Sequence, residues 1–223
     1  MDTGWYCSQC GRRDGSEIAL YQNGGMFNAH SKRLDPRCRV CGTLVVFHKN
    51  GHSAEATHLS SKVLIVNGTC ASGKTTISYL MSEHYDFVQV DGDWVLEREK
   101  LRRKQPVNGD DIHHDLIDMV EGLVFLGKSV VLAHIIPPEF LPLYEERLKE
   151  RQIGYRIVIL MPQKSVVLSR NKHRKCWPKT TPEYWVTKFH EAFANASEEV
   201  KTFFYDNSHE TPEETTENIF KSL

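Results

Sequence analysis

The stretch Val63-Leu64-Ile65-Val66-Asn67-Gly68-Thr69-Cys70-Ala71-Ser72-Gly73-Lys74-Thr75 decides the fold. It opens with a short apolar run of strand length, turns at Gly68, and leads into a segment from Lys74 to about His84 with helical patterning. Strand, glycine turn and helix in that order begin a unit in which strands and helices alternate.

The chain beyond keeps that alternation. Phe87 to Asp91 reads as a second strand, Asp111 to Leu126 as a helix stopped by Gly127, and Ser129 to His134 as a third strand. A helix from about Pro138 to Gln152 with Gly154 as its C-cap precedes a β-branched strand, Tyr155 to Leu160. Helices are expected over Gln163 to Lys172 and Glu183 to about Thr202, then a short strand at Phe203 to Tyr205. Thr211-Pro212-Glu213-Glu214 opens the last helix with an N-cap, a proline at N1 and acids in the first turn. The expected fold is α/β, a parallel sheet flanked by helices.

The glycine turn also carries chemistry. In Gly-x-x-x-x-Gly-Lys-Thr the glycines let backbone N–H groups converge on phosphate oxygens while the helix N-terminus adds its dipole. Gly68, Ala71, Ser72, Gly73, Lys74, Thr75 and Thr76 are therefore expected to hold the phosphates of ATP. Lys74 reaches the β- and γ-phosphates, and the Thr75 hydroxyl is placed for Mg²⁺. Cys70 sits in the variable part of the loop, where a small spacer is the simplest role.

An acid is needed beside this loop, and the third strand, Ser129 to Ile136, contains none. Asp91-Gly92-Asp93 ends the second strand, on the carboxyl edge where open α/β sheets bind ligands. One carboxylate would take the proton of an attacking hydroxyl and the other orient Mg²⁺; the competing reading is a turn in which Asp93 caps a helix from Trp94 to Lys104. His134, at the end of the third strand, either meets substrate or is a satisfied core histidine.

Strand, Gly-x-x-x-x-Gly-Lys-Thr, helix, strand and Asp-Gly-Asp together resemble the small P-loop kinases, the group with gluconate, shikimate, adenylylsulfate, chloramphenicol and polynucleotide 5′-kinases. The resemblance covers Lys62 to Leu223. It implies arginines on a lid after the fourth strand, for which Arg170 and Arg174, one helical turn apart, are the candidates against a plain solvated basic face. It also places the turn Asp206-Asn207-Ser208 near the nucleotide base.

The first fifty residues are of another kind. Cys7-x-x-Cys10-Gly11 and Cys38-x-x-Cys41-Gly42 resemble a zinc ribbon, a closed site of four thiolates that implies structural Zn²⁺. Two redox pairs are the alternative. Basic and aromatic residues interleaved around them make contact with nucleic acid a hypothesis. The expected division is a ribbon at 1–50, a polar linker at 51–61 and a P-loop kinase domain at 62–223.

Composition sets limits. The 223 residues are 26% charged and 40% apolar with net charge −1, so no global field advertises a polyanionic partner. No window nears the ~18 apolar residues of a membrane span, and the N-terminal residues lack a signal-peptide pattern, so the cytoplasm is the expected location. The leading expectation is an ATP-dependent kinase for a hydroxyl of a small molecule. A polynucleotide or nucleotide kinase using the ribbon, and a nucleotide-dependent regulatory ATPase switch, are the alternatives. Asn171-Lys172-His173-Arg174 lacks the final Asp of a guanine-reading motif and argues against a GTPase of the common type.

Overall fold

The computed structural model describes residues 4–6, 18–22, 34–38, 46–48, 62–103, 109–173 and 181–223. The chain divides into two compact units, Met1–Thr57 and His58–Leu223. The first unit contains two antiparallel ladders. Strand β1 (Gly4–Tyr6) pairs with β4 (Val46–His48), and β2 (Ile18–Gln22) pairs with β3 (Leu34–Cys38). Cys38 closes β3 opposite Ile18, whereas Cys7, Cys10 and Cys41 lie outside the described residues.

The second unit is built on β5 (Lys62–Gly68), which leads through the glycine turn into helix α1 (Lys74–His84). Then follow β6 (Phe87–Asp91), α2 (Gly92–Arg103), α3 (Gly109–Phe125), β7 (Ser129–Ala133), α4 (Leu141–Glu150) and β8 (Gly154–Leu160). The chain ends with α5 (Lys164–Lys172), α6 (Glu183–Ala194), the single turn α7 (Glu198–Lys201), β9 (Phe204–Tyr205) and α8 (Pro212–Lys221). The strands form one parallel sheet in the order β6-β7-β5-β8-β9.

A parallel strand buried on both faces reads as a continuous apolar run, which is why Val63 to Val66 has no polar alternation. All four of those side chains are buried. Leu64 and Val66 pack with Ile77 and Met81 of α1 and Ile219 of α8. By alternation Val63 and Ile65 face the other way, where α3 and α4 cover β7 and β8. Full burial of each such side chain favours the fold by about 1.5–3 kcal/mol.

Three sequence expectations need correction. The helix expected from Glu183 to Thr202 is broken after Ala194, because Ser197 starts a new turn by accepting the Val200 N–H on its hydroxyl at 3.4 Å. Gly154 is not a helix cap but the first residue of β8; Gln152 takes the left-handed position (φ 55°), and Ile153 N donates to Leu148 O at 2.9 Å. The helix expected from Pro138 begins instead as a 3₁₀ turn, Pro138–Phe140, with α4 starting at Leu141.

Candidate active site

The sheet order puts the ends of β6, β7 and β5 side by side, so the acids after β6 and the loop after β5 share one edge with β7 between them. The loop's path depends on glycine where the backbone is left-handed. Gly68 has φ +130°, and a Cβ there would fall 2.4 Å from the Leu160 carbonyl oxygen of β8. Gly73 has φ +111°, and Ala71 joins them at φ 60°. The loop is further tied at its base by Asn67, whose side-chain oxygen accepts the N–H of Gly68 (2.6 Å) and of Ile136 (2.9 Å) while its amide donates to Ile136 O (2.7 Å). That clamp locks the start of the loop to the segment after β7.

No side chain caps α1 at Gly73, so its first N–H groups face the loop hollow, as anion-binding helix starts do. The Ser72 hydroxyl inside the loop is buried and has no hydrogen-bond partner. A buried orphan hydroxyl beside a helix N-terminus and a left-handed glycine could together hold an anion. Lys74 Nζ donates to Thr69 O at 2.7 Å, lying along the loop it would leave to reach a phosphate.

The cap that the sequence offered to Asp93 belongs to Asp91, which also reaches Thr75. Its Oδ1 accepts the N–H of Asp93 (3.0 Å) and of Trp94 (3.4 Å), so Asp91, not Asp93, caps α2. Its Oδ2 accepts the Thr75 hydroxyl at 3.3 Å. Burial, then the charge of Asp93, raise the Asp91 pKa above its ordinary value, against the pull of those hydrogen bonds. Asp93 is exposed at the start of α2.

Arg170 on α5 grips the loop from behind. It donates to Ser72 O (3.3 Å) and Asn207 O (2.9 Å), while the Asn207 amide also donates to Ser72 O (3.1 Å). Arg170, Asn207, Glu210 and Pro212 line a cavity of about 330 Å³ whose other wall is Ala71 and Gly73 to Ile77. Arg170 therefore stands between the glycine loop and the Asp206-Asn207-Ser208 turn. The helix ends at Lys172, and Arg174 lies outside the described residues. Asp206 is held below the usual carboxylate range chiefly by the Ser208 hydroxyl, then by the Ser208 N–H, His209 and Arg170.

His134 follows β7 between the loop and the acids. Its ring lies against Gly92: a Cβ there would fall 2.2 Å from Nδ1. Nδ1 is buried without a hydrogen-bond partner. Beside it His113, its ring 5.6 Å away, shares a 2.9 Å hydrogen bond with the Tyr144 hydroxyl and stacks on Phe140.

Sequence reasoning missed Asn67, Asn171 and the grip on the loop's Ser72 carbonyl. Asn171 donates to Thr181 O (2.7 Å) and accepts from Thr181 N (3.2 Å). A buried amide at the end of an all-apolar strand is the one signal that would have flagged Asn67. Among the described residues no group of three or more His, Cys, Asp or Glu side chains is arranged to hold a metal ion, and no helix is long and apolar enough to cross a membrane.

No family model matches the chain. No curated protein matches it in sequence. Solved structures do match its fold. The tunicamycin resistance protein of Deinococcus radiodurans aligns with a TM-score of 0.57 at 16% identity, over 73% of this chain and 95% of that one. A sugar kinase from Janibacter sp. HTCC2649 gives 0.53 at 17% identity, over 72% and 93%. Shikimate kinase of Bacteroides thetaiotaomicron gives 0.50 at 15%, over 72% and 97%. The parallel sheet with its flanking helices is the fold of the P-loop kinases.

Proposed function

We propose that the chain is an ATP-dependent kinase that moves the γ-phosphate of ATP to a hydroxyl of a small molecule. The observation that carries this reading is the Thr75–Asp91 hydrogen bond, which joins the phosphate loop to an acid on the edge of the same sheet. The fold shared with a sugar kinase and shikimate kinase supports it.

In this reading the N–H groups of Gly73 to Thr76 bind the β- and γ-phosphates and Lys74 swings from Thr69 O to their oxygens. The hollow lined by Arg170, Asn207 and Pro212 receives the nucleoside. The Thr75 hydroxyl, with Asp91 or Asp93 through water, would hold Mg²⁺, which when bound neutralises charge on the phosphates. The acceptor oxygen attacks the γ-phosphorus, the bond from that phosphorus to the bridging oxygen breaks, and ADP leaves with the bond's electron pair. The hydroxyl proton passes to Asp91, whose raised pKa makes it a better base than an ordinary carboxylate.

A screen for transfer of labelled γ-phosphate from ATP and Mg²⁺ to sugars, sugar acids, nucleosides and a 5′-hydroxyl oligonucleotide tests the proposal. Labelled small-molecule product from the wild type, abolished by Lys74→Ala, is the expected result. Label appearing only on the oligonucleotide, or release of free phosphate alone, would replace the small-molecule reading.

A further inference from the structure

We infer that His134 is an acceptor-binding residue, giving a hydrogen bond from a neutral imidazole Nε2–H to an uncharged oxygen of the molecule that receives the phosphate. The inference rests on the kinase reading above and deepens it.

Position is the first support. Ala133 pairs with Val66 on one side and Asp91 on the other, so His134 stands one residue beyond the row that carries the acid. Its backbone N–H reaches Val66 O at 3.4 Å. The strand between loop and acid, where an acidic residue is absent, thus delivers an imidazole to the gap between them.

Fit is the second. Because a Cβ at position 92 would collide with the His134 ring, no larger residue fits there unless the ring moves. The glycine of Asp91-Gly92-Asp93 therefore leaves room for the ring beside the backbone that links the two acids. His113 lies beside the ring, and Phe140 and Tyr144 in turn hold the His113 ring.

The ring's hydrogen bonding is the third. A buried ring N–H without a partner costs more than an under-used acceptor lone pair, so the orphan Nδ1 is the bare nitrogen and the proton sits on Nε2. The residue as a whole is only half-buried, so its exposed surface lies away from Nδ1. A satisfied core histidine would use its buried nitrogen; this one does not. Burial, with His113 and Lys74 adding repulsion, pulls the pKa down to about 3, so the ring is neutral and suits a hydroxyl or carbonyl oxygen better than a carboxylate.

Two measurements test the inference. In ¹⁵N spectra of histidine-labelled protein near pH 7, the signal lost in His134→Gln should be that of a neutral Nε2–H tautomer; an imidazolium or Nδ1–H tautomer overturns the assignment. With the acceptor identified by the label screen, His134→Phe should raise the acceptor KM about tenfold while changing the ATP KM by less than about twofold, and His134→Gln, which restores a donor, should recover most of the loss. An unchanged acceptor KM in the Phe variant, or equal losses for both substrates, overturns the inference alone. A wild type that labels no acceptor overturns the kinase reading and takes this inference with it.

Discussion

Thr75 Oγ1 and Asp91 Oδ2 lie 3.3 Å apart, one on the first turn of α1 and the other at the end of β6, with β7 between the strands that lead to them. The distance is long for a hydroxyl–carboxylate bond, so the pair is near contact and has room to open around a third partner. Removing the hydroxyl should show its role. Thr75→Ala is expected to cut phosphate transfer by about a hundredfold or more, and Thr75→Ser to remain within a few-fold of wild type. Equal rates for the two variants, measured at saturating Mg²⁺, would show that the hydroxyl takes no part.

Asp91, the base of the proposed mechanism, is also a stability cost. Its folded pKa lies above its unfolded value, so the folded state binds the proton more tightly. The penalty is absent below the ordinary value of 3.8 and grows as pH rises through the folded pKa. Asp91→Asn, which keeps the α2 cap, should therefore raise Tm near pH 7 in Mg²⁺-free buffer, with a gain that shrinks toward pH 4. A lower Tm near pH 7 would mean that the hydrogen bonds outweigh burial.

Gly68 cannot take a side chain. Its φ of +130° and the 2.4 Å approach of Leu160 O leave no place for a Cβ, and the obstacle is backbone. Gly68→Ala should destabilise the fold by roughly 2–4 kcal/mol and weaken binding of a fluorescent ATP analogue. Wild-type stability and binding in that variant would contradict the loop geometry.

Away from the site, Arg147 holds Glu121 through two bonds, at 3.0 and 2.9 Å, and reaches Asp118 at 2.8 Å, with Glu121 buried. Those carboxylates raise the Arg147 pKa. Arg147→Met leaves the buried Glu121 carboxylate with only the longer Arg151 Nε contact at 3.8 Å among the described residues and should cost about 1–3 kcal/mol in urea unfolding, less than a fully buried pair left without any partner. Phosphate transfer per folded molecule should be unchanged.

The sheet was legible because its strands are buried on both faces and are written as apolar runs: Val63 to Val66, Val130 to Ala133 and Ile157 to Leu160. The turn between β5 and α1 was legible because its conformation favours glycine at Gly68 and Gly73. Asp91 was found through its place at a strand end, but its division between capping α2 and meeting Thr75 depends on side-chain direction, which no spacing encodes. Asn67 and Asn171 escaped for a related reason, as did the hold of Asn207 on the Ser72 carbonyl. Each acts on a backbone group distant in sequence, and an amide that satisfies a remote carbonyl leaves no local pattern. The break at Ser197 was missed because helical propensity runs on through Glu198 and Glu199, while the cap that restarts the helix is a single hydroxyl.

The central claim is that Asp91 serves phosphate transfer from ATP, and the most direct measurement compares wild type with Asp91→Asn. Both are given γ-labelled ATP, Mg²⁺ and the hydroxyl acceptors, with binding of a fluorescent ATP analogue measured in parallel. The account predicts labelled acceptor from the wild type, a fall of about a hundredfold or more in Asp91→Asn, and ATP-analogue binding within about threefold in both. Full transfer by Asp91→Asn, or ATP hydrolysis by the wild type without labelled acceptor, would contradict it.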